Sequence, residues 1–267
     1  MMADKYKGYV IYTDLDGTLL NDKKEVSPEN RSAIEKFIEN GGKFSIATGR
    51  AFEATEKYIK GLDIDIPAIV YNGGMIYDCV NKKPVKEKSL ENDKKEIVYK
   101  LIKDYSSLGI EIYSDTDIYI FNDSGMSERP ATMLLNIIYD IPENLFELKW
   151  NKILLVGKRE FMDELQEIFK EKYKMEVVRS GDKFLEILPH NTSKGHALKE
   201  IISMYNLDKN KVIAAGDDMN DAEMLKESGI AFCPENASDS VKNYANHITV
   251  NNNEHIIAAI LKYIGEI

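Results

Sequence analysis

Short apolar segments that favour β-strands alternate with helical segments near both ends of this 267-residue chain. The sequence predicts strands at YVIY, KFSIA and AIVYN in the first part and at KVIAA and GIAFC in the last part. Helical patterns separate them, and the first helix begins with Ser27 and Pro28 in the N-cap and N1 positions. This alternation predicts an α/β fold with a doubly wound, Rossmann-like parallel sheet, which binds ligands at the carboxyl ends of its strands.

The middle of the chain has a different pattern. Alternating strands such as IEIYSD and DIYIFN are interspersed with helical segments, one of which is predicted at about 127–139. Runs of helices and short alternating strands are typical of an α+β domain. The sequence therefore predicts a discontinuous core of residues 1–81 and 190–267, with an α+β domain inserted at 82–189.

Two aspartates follow the first apolar strand directly. Asp14 and Asp16 are two residues apart, which on a strand turns both carboxylates to one face and leaves Leu15 toward the core. Because an unpaired buried carboxylate is costly, both should lie where the strand ends. Gly17 then lets the chain turn, and the alternative interpretation is an ordinary Asp-Gly turn after a strand.

A second acidic cluster follows the strand KVIAA. Asp217, Asp218 and Asp221 repel one another unless a cation or basic group compensates them. An EF-hand is excluded because Met219 takes a ligand position and the required glycine and glutamate are absent. A hard divalent cation such as Mg²⁺, bound by oxygens, fits this cluster. The alternative is a solvated, Asp-rich helix N-terminus.

Three further residues lie at predicted strand ends or helix starts. The Thr48 hydroxyl and the amides of the turn at Gly49 could hold a phosphoryl oxygen, although Thr48 could also simply cap the next helix. Lys194 lies in the first turn of a helix, where a cation opposes the helix dipole unless an anion is near. It could also be an exposed lysine behind an N-cap. Their shared location at one sheet edge, together with the acidic clusters, favours a phosphoryl site. The sequence contains no GxSxG or HExxH motif, which disfavours serine hydrolase and zincin chemistry.

Composition restricts the partners and the compartment. The formal net charge of −10 disfavours binding to nucleic acid or to an anionic membrane, because both need positive fields. Cys79 and Cys233 are far apart and form no CxxC motif, so neither a disulfide framework nor a zinc site is predicted. No apolar run approaches the roughly 18 residues of a membrane span or precedes Asp14 as a signal peptide. The sequence predicts a cytoplasmic protein and leaves its oligomeric state open.

Four motifs occur in a fixed order along the chain: DLDGTLL at 14–20, Thr48 within ATGR, Lys194 within SKG, and GDDMND at 216–221. In this combination the sequence resembles the haloacid dehalogenase superfamily of phosphohydrolases over essentially its whole length. The position of the insert resembles the type IIB or Cof-like branch, in which an α/β cap is expected. The segment AFCPENASD departs from the short turn of many relatives. This departure bears on subfamily and substrate and leaves the chemistry unaffected.

The resemblance implies a phosphatase that hydrolyses small phosphomonoesters, such as sugar phosphates, through an aspartyl phosphate. Asp14 would attack phosphorus, while Asp16 would protonate the leaving alcohol and then deprotonate the hydrolytic water. Lys194 and Thr48 would stabilise the transferring phosphoryl oxygens, and Asn220 would help to orient them.

The resemblance also implies a cofactor. Mg²⁺ would be bound by the Asp14 carboxylate, the Asp16 main-chain carbonyl and Asp217, with Asp221 as an additional or water-mediated ligand. The ion would neutralise charge so that one anion can attack another.

Two other functions stay open. A phosphomutase or phosphotransferase of the same superfamily would return the phosphoryl group to a sugar. A phospho-accepting regulatory module also combines acidic residues, a threonine, a lysine and a doubly wound sheet, but the acid–base role of Asp16 and the large insert disfavour it. Four residues of the insert are possible substrate contacts or packing residues: Tyr113, Tyr119, Trp150 and Arg179.

Overall fold

The structure, a computed structural model, describes residues 4–126 and 135–266. It divides into two compact units. The first combines the chain up to Lys86 with the chain from Ser193 onward, and the second is Glu87–Thr192.

The first five elements of the chain lie in the predicted strand and helix segments, and two short strands follow them before the second unit. In chain order they are β1 (Val10–Thr13), α1 (Pro28–Glu39), β2 (Lys43–Ile46), α2 (Phe52–Ile59), β3 (Ala68–Val70), β4 (Met75–Asp78) and β5 (Lys83–Glu87). As predicted, Ser27 caps α1, since its side chain accepts a hydrogen bond from the Asn30 amide.

The elements of the second unit follow. In chain order they are α3 (Asn92–Asp104), β6 (Gly109–Ser114), β7 (Asp117–Phe121), β8 (Asn136–Ile138), β9 (Lys152–Val156), α4 (Arg159–Glu171), β10 (Val178–Gly181) and β11 (Phe184–Ile187). The helix predicted at about 127–139 is wrong at its C-terminal end, where Asn136–Ile138 pairs with β7 as a strand. Residues 127–134 lie outside the described residues.

The chain then returns to the first unit. The elements are α5 (Lys194–Met204), β12 (Val212–Ala215), α6 (Ala222–Glu227), β13 (Ile230–Cys233), α7 (Asp239–Lys242), β14 (His247–Ile248) and α8 (Ile256–Glu266). The sequence pattern did not reveal α7 and β14, which have only four and two residues.

The first unit has the predicted doubly wound sheet. Its five strands are parallel and run in the order β14-β13-β12-β1-β2, and a bridge between Ala47 and Ile69 places β3 beside β2. The predicted α/β fold class is therefore confirmed. Strand β2 lies on one side of β1, and β12, β13 and β14 lie on the other side, so the strand order reverses between β1 and β12. The carboxyl ends of these two strands form the switch point where ligands bind in such sheets.

Burial explains why β1 has no charged residue on either of its faces. Val10, Ile11, Tyr12 and Thr13 are all buried, as expected for a central parallel strand covered on both sides. Val10 and Tyr12 pack in one cluster with residues of β12 and α5. Ionisable side chains of a site can therefore lie only beyond the end of this strand.

The second unit is an α+β layer with its own core. Its sheet has the order β10-β11-β9-β6-β7-β8, and apolar residues of α3 and α4 pack against one face of it. Trp150 and Tyr119 belong to this buried cluster, which identifies them as packing residues. The Arg179 guanidinium pairs with Asp163 at 3.1 Å within the same unit.

No helix within residues 4–126 and 135–266 is long and apolar enough to cross a membrane.

Because α5 packs closely against α6, alanine in place of a glycine of α5 should destabilise the protein, although alanine usually stabilises a helix. A Cβ on Gly195 would stand 2.5 Å from the main-chain carbonyl carbon of Glu223, so Gly195→Ala should destabilise the fold by about 1–3 kcal/mol. Gly265 of α8 is the matched control, because its Cβ would meet the flexible end of Lys5 and, at an ordinary contact distance of 3.9 Å, the Tyr6 hydroxyl. Gly265→Ala should be neutral or stabilising by up to about 1 kcal/mol, as usual for glycine in a helix. Urea unfolding of both variants measures this difference, and equal stabilities would contradict the packing.

Candidate active site

The loop after β1 carries the first predicted site residues. The Asp14 amide donates to the Ala215 carbonyl at 2.8 Å, which extends the pairing of β1 with β12 by one residue. Leu15 is fully buried, as predicted, and Gly17 turns the chain with a φ of 84°. The carboxylates of Asp14 and Asp16 face different cations, because the chain leaves strand geometry after Thr13.

A buried lysine joins two acidic segments. The Lys194 ammonium donates to Asp14 Oδ1 at 2.6 Å and to Asp221 Oδ1 at 2.7 Å. Lys194 is 0% exposed, Asp221 1% and Asp14 6%. These two anions explain why a cation is tolerated in the first turn of α5.

The turn after β12 is held by the other oxygen of Asp221. Asp221 Oδ2 accepts hydrogen bonds from the amides of Asp217 and Asp218 at 3.0 and 3.2 Å. The Asp217 carboxylate accepts from the Thr18 hydroxyl at 2.8 Å, and a Cβ on Gly17 would collide with it. The loops after β1 and β12 can approach this closely only because position 17 is glycine.

Negative charge exceeds positive charge at this edge. Burial raises the pKa of Asp14 well above its usual value, and the nearby carboxylates add to the effect while Lys194 opposes it. Burial and the charge of Asp221 raise the pKa of Asp217 to about 7. Burial disfavours the charged form of Lys194, but Asp14 and Asp221 outweigh it and raise the pKa of the ammonium.

The same excess charge fits a metal ion. Carboxylate oxygens of Asp14, Asp217 and Asp221 lie within 4.8 Å of one another. Oxygen ligands with surplus negative charge suit a hard divalent cation such as Mg²⁺, which would lower the raised pKa values of these acids. These three residues could therefore hold the predicted metal.

Asp16 lies in a separate, cationic environment. Its carboxylate accepts from Arg50 Nε at 2.6 Å, from Arg50 Nη2 at 2.8 Å and from the Lys24 ammonium at 2.9 Å. Burial alone would raise the pKa of Asp16, but these hydrogen bonds and charges lower it to about 2. Neither cation was predicted as a site residue. Arg50 stands in the ATGR motif, which offered a signal, whereas nothing in the sequence around Lys24 did.

The remaining predicted residues meet at the ends of β2 and β3. Thr48 is buried, and its carbonyl accepts from the Asn72 amide at 2.9 Å. The Asn220 side-chain amide donates to Asn72 Oδ1 at 3.1 Å, and a Cβ on Gly49 would stand 2.8 Å from Asn72 Nδ2. Asn72, which the sequence marked only as part of an NGG turn, thus links the loops that carry Thr48 and Asn220.

Comparison with known proteins identifies the class. Residues 11–261 match the haloacid dehalogenase-like hydrolases. The 5-amino-6-(5-phospho-D-ribitylamino)uracil phosphatase YwtE of Bacillus subtilis is 26% identical over 282 residues, which cover 93% of this chain and 95% of that protein. A haloacid dehalogenase-like hydrolase from Bacteroides thetaiotaomicron of known crystal structure has a TM-score of 0.79 and 26% identity, with 96% of this chain and 99% of that chain covered.

A further solved structure shares the fold at lower sequence identity. The subclass IIB sugar phosphatase BT4131 superposes with a TM-score of 0.83 over 97% of this chain and 100% of its own, at 18% identity, and so shares the fold. The protein is an enzyme of the phosphatase class. The chain belongs to the haloacid dehalogenase-like hydrolases, as its resemblance predicted, and its fold is that of the subclass IIB proteins.

The raised pKa of Asp217 predicts how pH affects stability in the absence of metal. The folded protein keeps this proton up to about pH 7, whereas the unfolded chain loses it near the ordinary pKa of 3.8, so the contribution of Asp217 to stability falls as pH rises between these values. In EDTA, Asp217→Asn should therefore gain thermal stability relative to the wild type between pH 5 and pH 8. Each kcal/mol corresponds to about 2–4 °C in Tm.

The addition of Mg²⁺ to the same thermal unfolding experiments provides the control. Excess Mg²⁺ at pH 8 should raise the Tm of the wild type and remove the advantage of the variant, because protons and metal compete for the carboxylate. A difference in Tm that does not depend on pH would contradict the raised pKa.

Proposed function

We propose that the protein is a Mg²⁺-dependent phosphatase that hydrolyses small phosphomonoesters, such as sugar phosphates, through an aspartyl phosphate on Asp14. The observation that carries this proposal is the contact of the buried Lys194 ammonium with both Asp14 and Asp221 at the switch point of the sheet. A carboxylate nucleophile needs a cationic surrounding to approach a phosphate dianion, and this contact supplies one.

Asp14 and Asp16 have separate tasks in the proposed reaction. An oxygen of Asp14 forms a bond to phosphorus while the bond from phosphorus to the leaving oxygen breaks, and Asp16 gives its proton to that oxygen. In the second step Asp16 takes a proton from the water that attacks the phosphorus, which frees Asp14 and releases inorganic phosphate. The lowered pKa of Asp16 favours the carboxylate form that this second step requires. A bound phosphate dianion beside Asp16 raises its pKa and favours the protonated form that the first step requires.

The metal would be held at the acidic edge. We assign to it the Asp14 carboxylate, the Asp16 main-chain carbonyl and Asp217, and when bound it supplies positive charge that lets one anion approach another. Both oxygens of Asp221 are already engaged by Lys194 and by the turn amides. Because both oxygens are engaged, Asp221 would contact the metal through water. Its main role would be to position Lys194.

The phosphoryl oxygens would lie between the loop after β2 and the start of α5. Lys194 supplies a full charge, and Thr48 and Gly49 supply a hydroxyl and turn amides. Asn220 would orient these groups through its hydrogen bond to Asn72.

We assign to the second unit, Glu87–Thr192, the part of the cap that selects the leaving group, and its overlap with the insert predicted at 82–189 supports this assignment. Three Bacillus subtilis relatives bear the name of a phosphatase for a phosphoribitylamino-uracil, a small phosphomonoester. Their names support a small phosphorylated metabolite as the substrate here. The two free thiols, Cys79 and Cys233, are consistent with the reducing cytoplasm as its location.

A panel of phosphomonoesters assayed for inorganic phosphate tests the proposal. Turnover of sugar phosphates and of an aryl phosphate should require Mg²⁺ and should stop in excess chelator. Asp14→Asn should fall to background, because it lacks the nucleophile. Asp218→Asn is a matched control, since Asp218 is exposed and its cap acceptor is kept, and it should retain activity.

Two results would contradict the proposal. One is turnover that is unchanged by the chelator. The other is conversion of one sugar phosphate into its isomer without release of phosphate, with phosphate returned from a bisphosphate activator, which would identify a phosphomutase.

A further inference from the structure

We propose that Lys24 is a positioning residue for Asp16, which it holds in the orientation that proton transfer requires. The inference rests on the proposed function, in which Asp16 is the acid and base. It adds a residue that lies outside the four motifs and that the sequence pattern did not single out.

Both oxygens of the Asp16 carboxylate are fixed by cations. Arg50 binds Oδ2 through Nε at 2.6 Å and Oδ1 through Nη2 at 2.8 Å, while Lys24 binds Oδ1 from a different element at 2.9 Å. Arg50 follows β2, and Lys24 lies in the turn between β1 and α1. Without Lys24, the position of the carboxylate depends on Arg50 alone, whose own side chain is 30% exposed.

The turn holds the Lys24 side chain toward Asp16 from a strained backbone conformation. Lys24 has a φ of 59°, a left-handed conformation that residues with a Cβ rarely adopt. Asn21 stabilises this turn, since its side-chain oxygen accepts from the amides of Lys23 and Glu25, both at 3.0 Å. The Lys24 amide donates to the Asn21 carbonyl at 2.8 Å. Backbone strain that persists beside a reactive carboxylate is typical of a functional constraint.

The loop from Gly17 to this turn is also braced from the C-terminal part of the chain. The Asn252 side-chain amide donates to the Leu20 carbonyl at 3.0 Å and to Asp22 Oδ1 at 3.3 Å. Asn236, in the segment that departs from the usual family pattern, donates to the Gly17 carbonyl at 2.8 Å and accepts from the Asn252 amide at 2.9 Å. The backbone that aims Lys24 is therefore held at both ends of the loop.

A role in stability alone does not account for this arrangement. The Lys24 side chain is 54% exposed and that of Asp16 is 35% exposed, and exposed ion pairs contribute little to folding. A left-handed lysine would be replaced by glycine at no cost if only the turn mattered. The contact with Asp16 is what requires the lysine side chain.

Steady-state kinetics on a series of aryl phosphates with Mg²⁺ measures this role. With a poor leaving group such as phenol, Lys24→Met should lower kcat about tenfold at unchanged KM, because misplaced proton transfer slows the step that needs it. With 2,4-dinitrophenol, which needs little protonation, kcat should change less than about twofold. Lys24→Arg should restore most of the activity with phenol.

Two controls separate positioning from folding. Lys23→Met removes the neighbouring exposed lysine, whose ammonium makes no ion pair within the described part of the chain, and should behave as the wild type. Lys24→Gly relieves the left-handed backbone and should unfold at a urea concentration no lower than the wild type. It should nevertheless show the same dependence on the leaving group as Lys24→Met.

The outcomes are distinguishable. Wild-type kinetics of Lys24→Met and Lys24→Gly across the whole series would overturn the positioning role while leaving the phosphatase function intact. An equal loss for all leaving groups, with a raised KM, would also overturn it in favour of substrate binding. A wild-type protein that hydrolyses no aryl phosphate with Mg²⁺ would overturn the proposed function and this inference with it.

Discussion

The structure of the candidate site depends on one buried cation between two carboxylates. Lys194 is fully buried, and its ammonium contacts Asp14 and Asp221 at 2.6 and 2.7 Å. Removal of one partner from a buried charge arrangement typically costs about 3–5 kcal/mol, because the remaining charge is left without compensation. The contact joins the end of β1, the start of α5 and the turn after β12. It can form only when all three segments are in their native positions.

The sheet topology makes this contact possible. Because β1 and β12 are neighbours, the loops that follow them leave the sheet side by side, and α5 brings its first residue to the same edge. Glycine at position 17 admits the Asp217 carboxylate, and Thr18 then fixes that carboxylate. A site with more negative than positive charge results, and it fits a divalent cation and the phosphate that such a cation helps to bind. Asp16, held apart by Arg50 and Lys24, is free of this cluster and suited to a different task.

Much of this arrangement could be predicted from local sequence. The alternation of apolar strands with amphipathic helices predicted the parallel sheet, and strand ends are local features that locate Asp14, Thr48 and Asp217. The order of the motifs then indicated the family. Short elements such as α7 and β14 were missed, since four or two residues carry too little periodicity. The strand at Asn136–Ile138 was mistaken for helix because a short apolar segment fits either pattern.

What could not be predicted depends on contacts distant in sequence or on backbone conformation. Thr18 meets Asp217 across 199 residues, and Arg50 meets Asp16 across 34, so no local pattern pairs them. Lys24 is close to Asp16 in sequence, but its direction depends on a left-handed turn held by Asn21. The sequence marks Asn72 only as part of a turn, and its left-handed conformation and its hydrogen bond with Asn220 depend on the folded structure.

In the proposed mechanism the carboxylate of Asp14, beside Lys194, is the nucleophile. Rapid-quench mass spectrometry of the protein mixed with Mg²⁺ and an activated phosphate ester tests it most directly, with Asp16→Asn used to slow loss of the phosphate. We expect a transient covalent phosphate on the peptide that contains Asp14, and none in the Asp14→Asn protein. A covalent phosphate on Asp14→Asn, or full steady-state turnover by Asp16→Asn, would show that Asp14 and Asp16 do not have these roles.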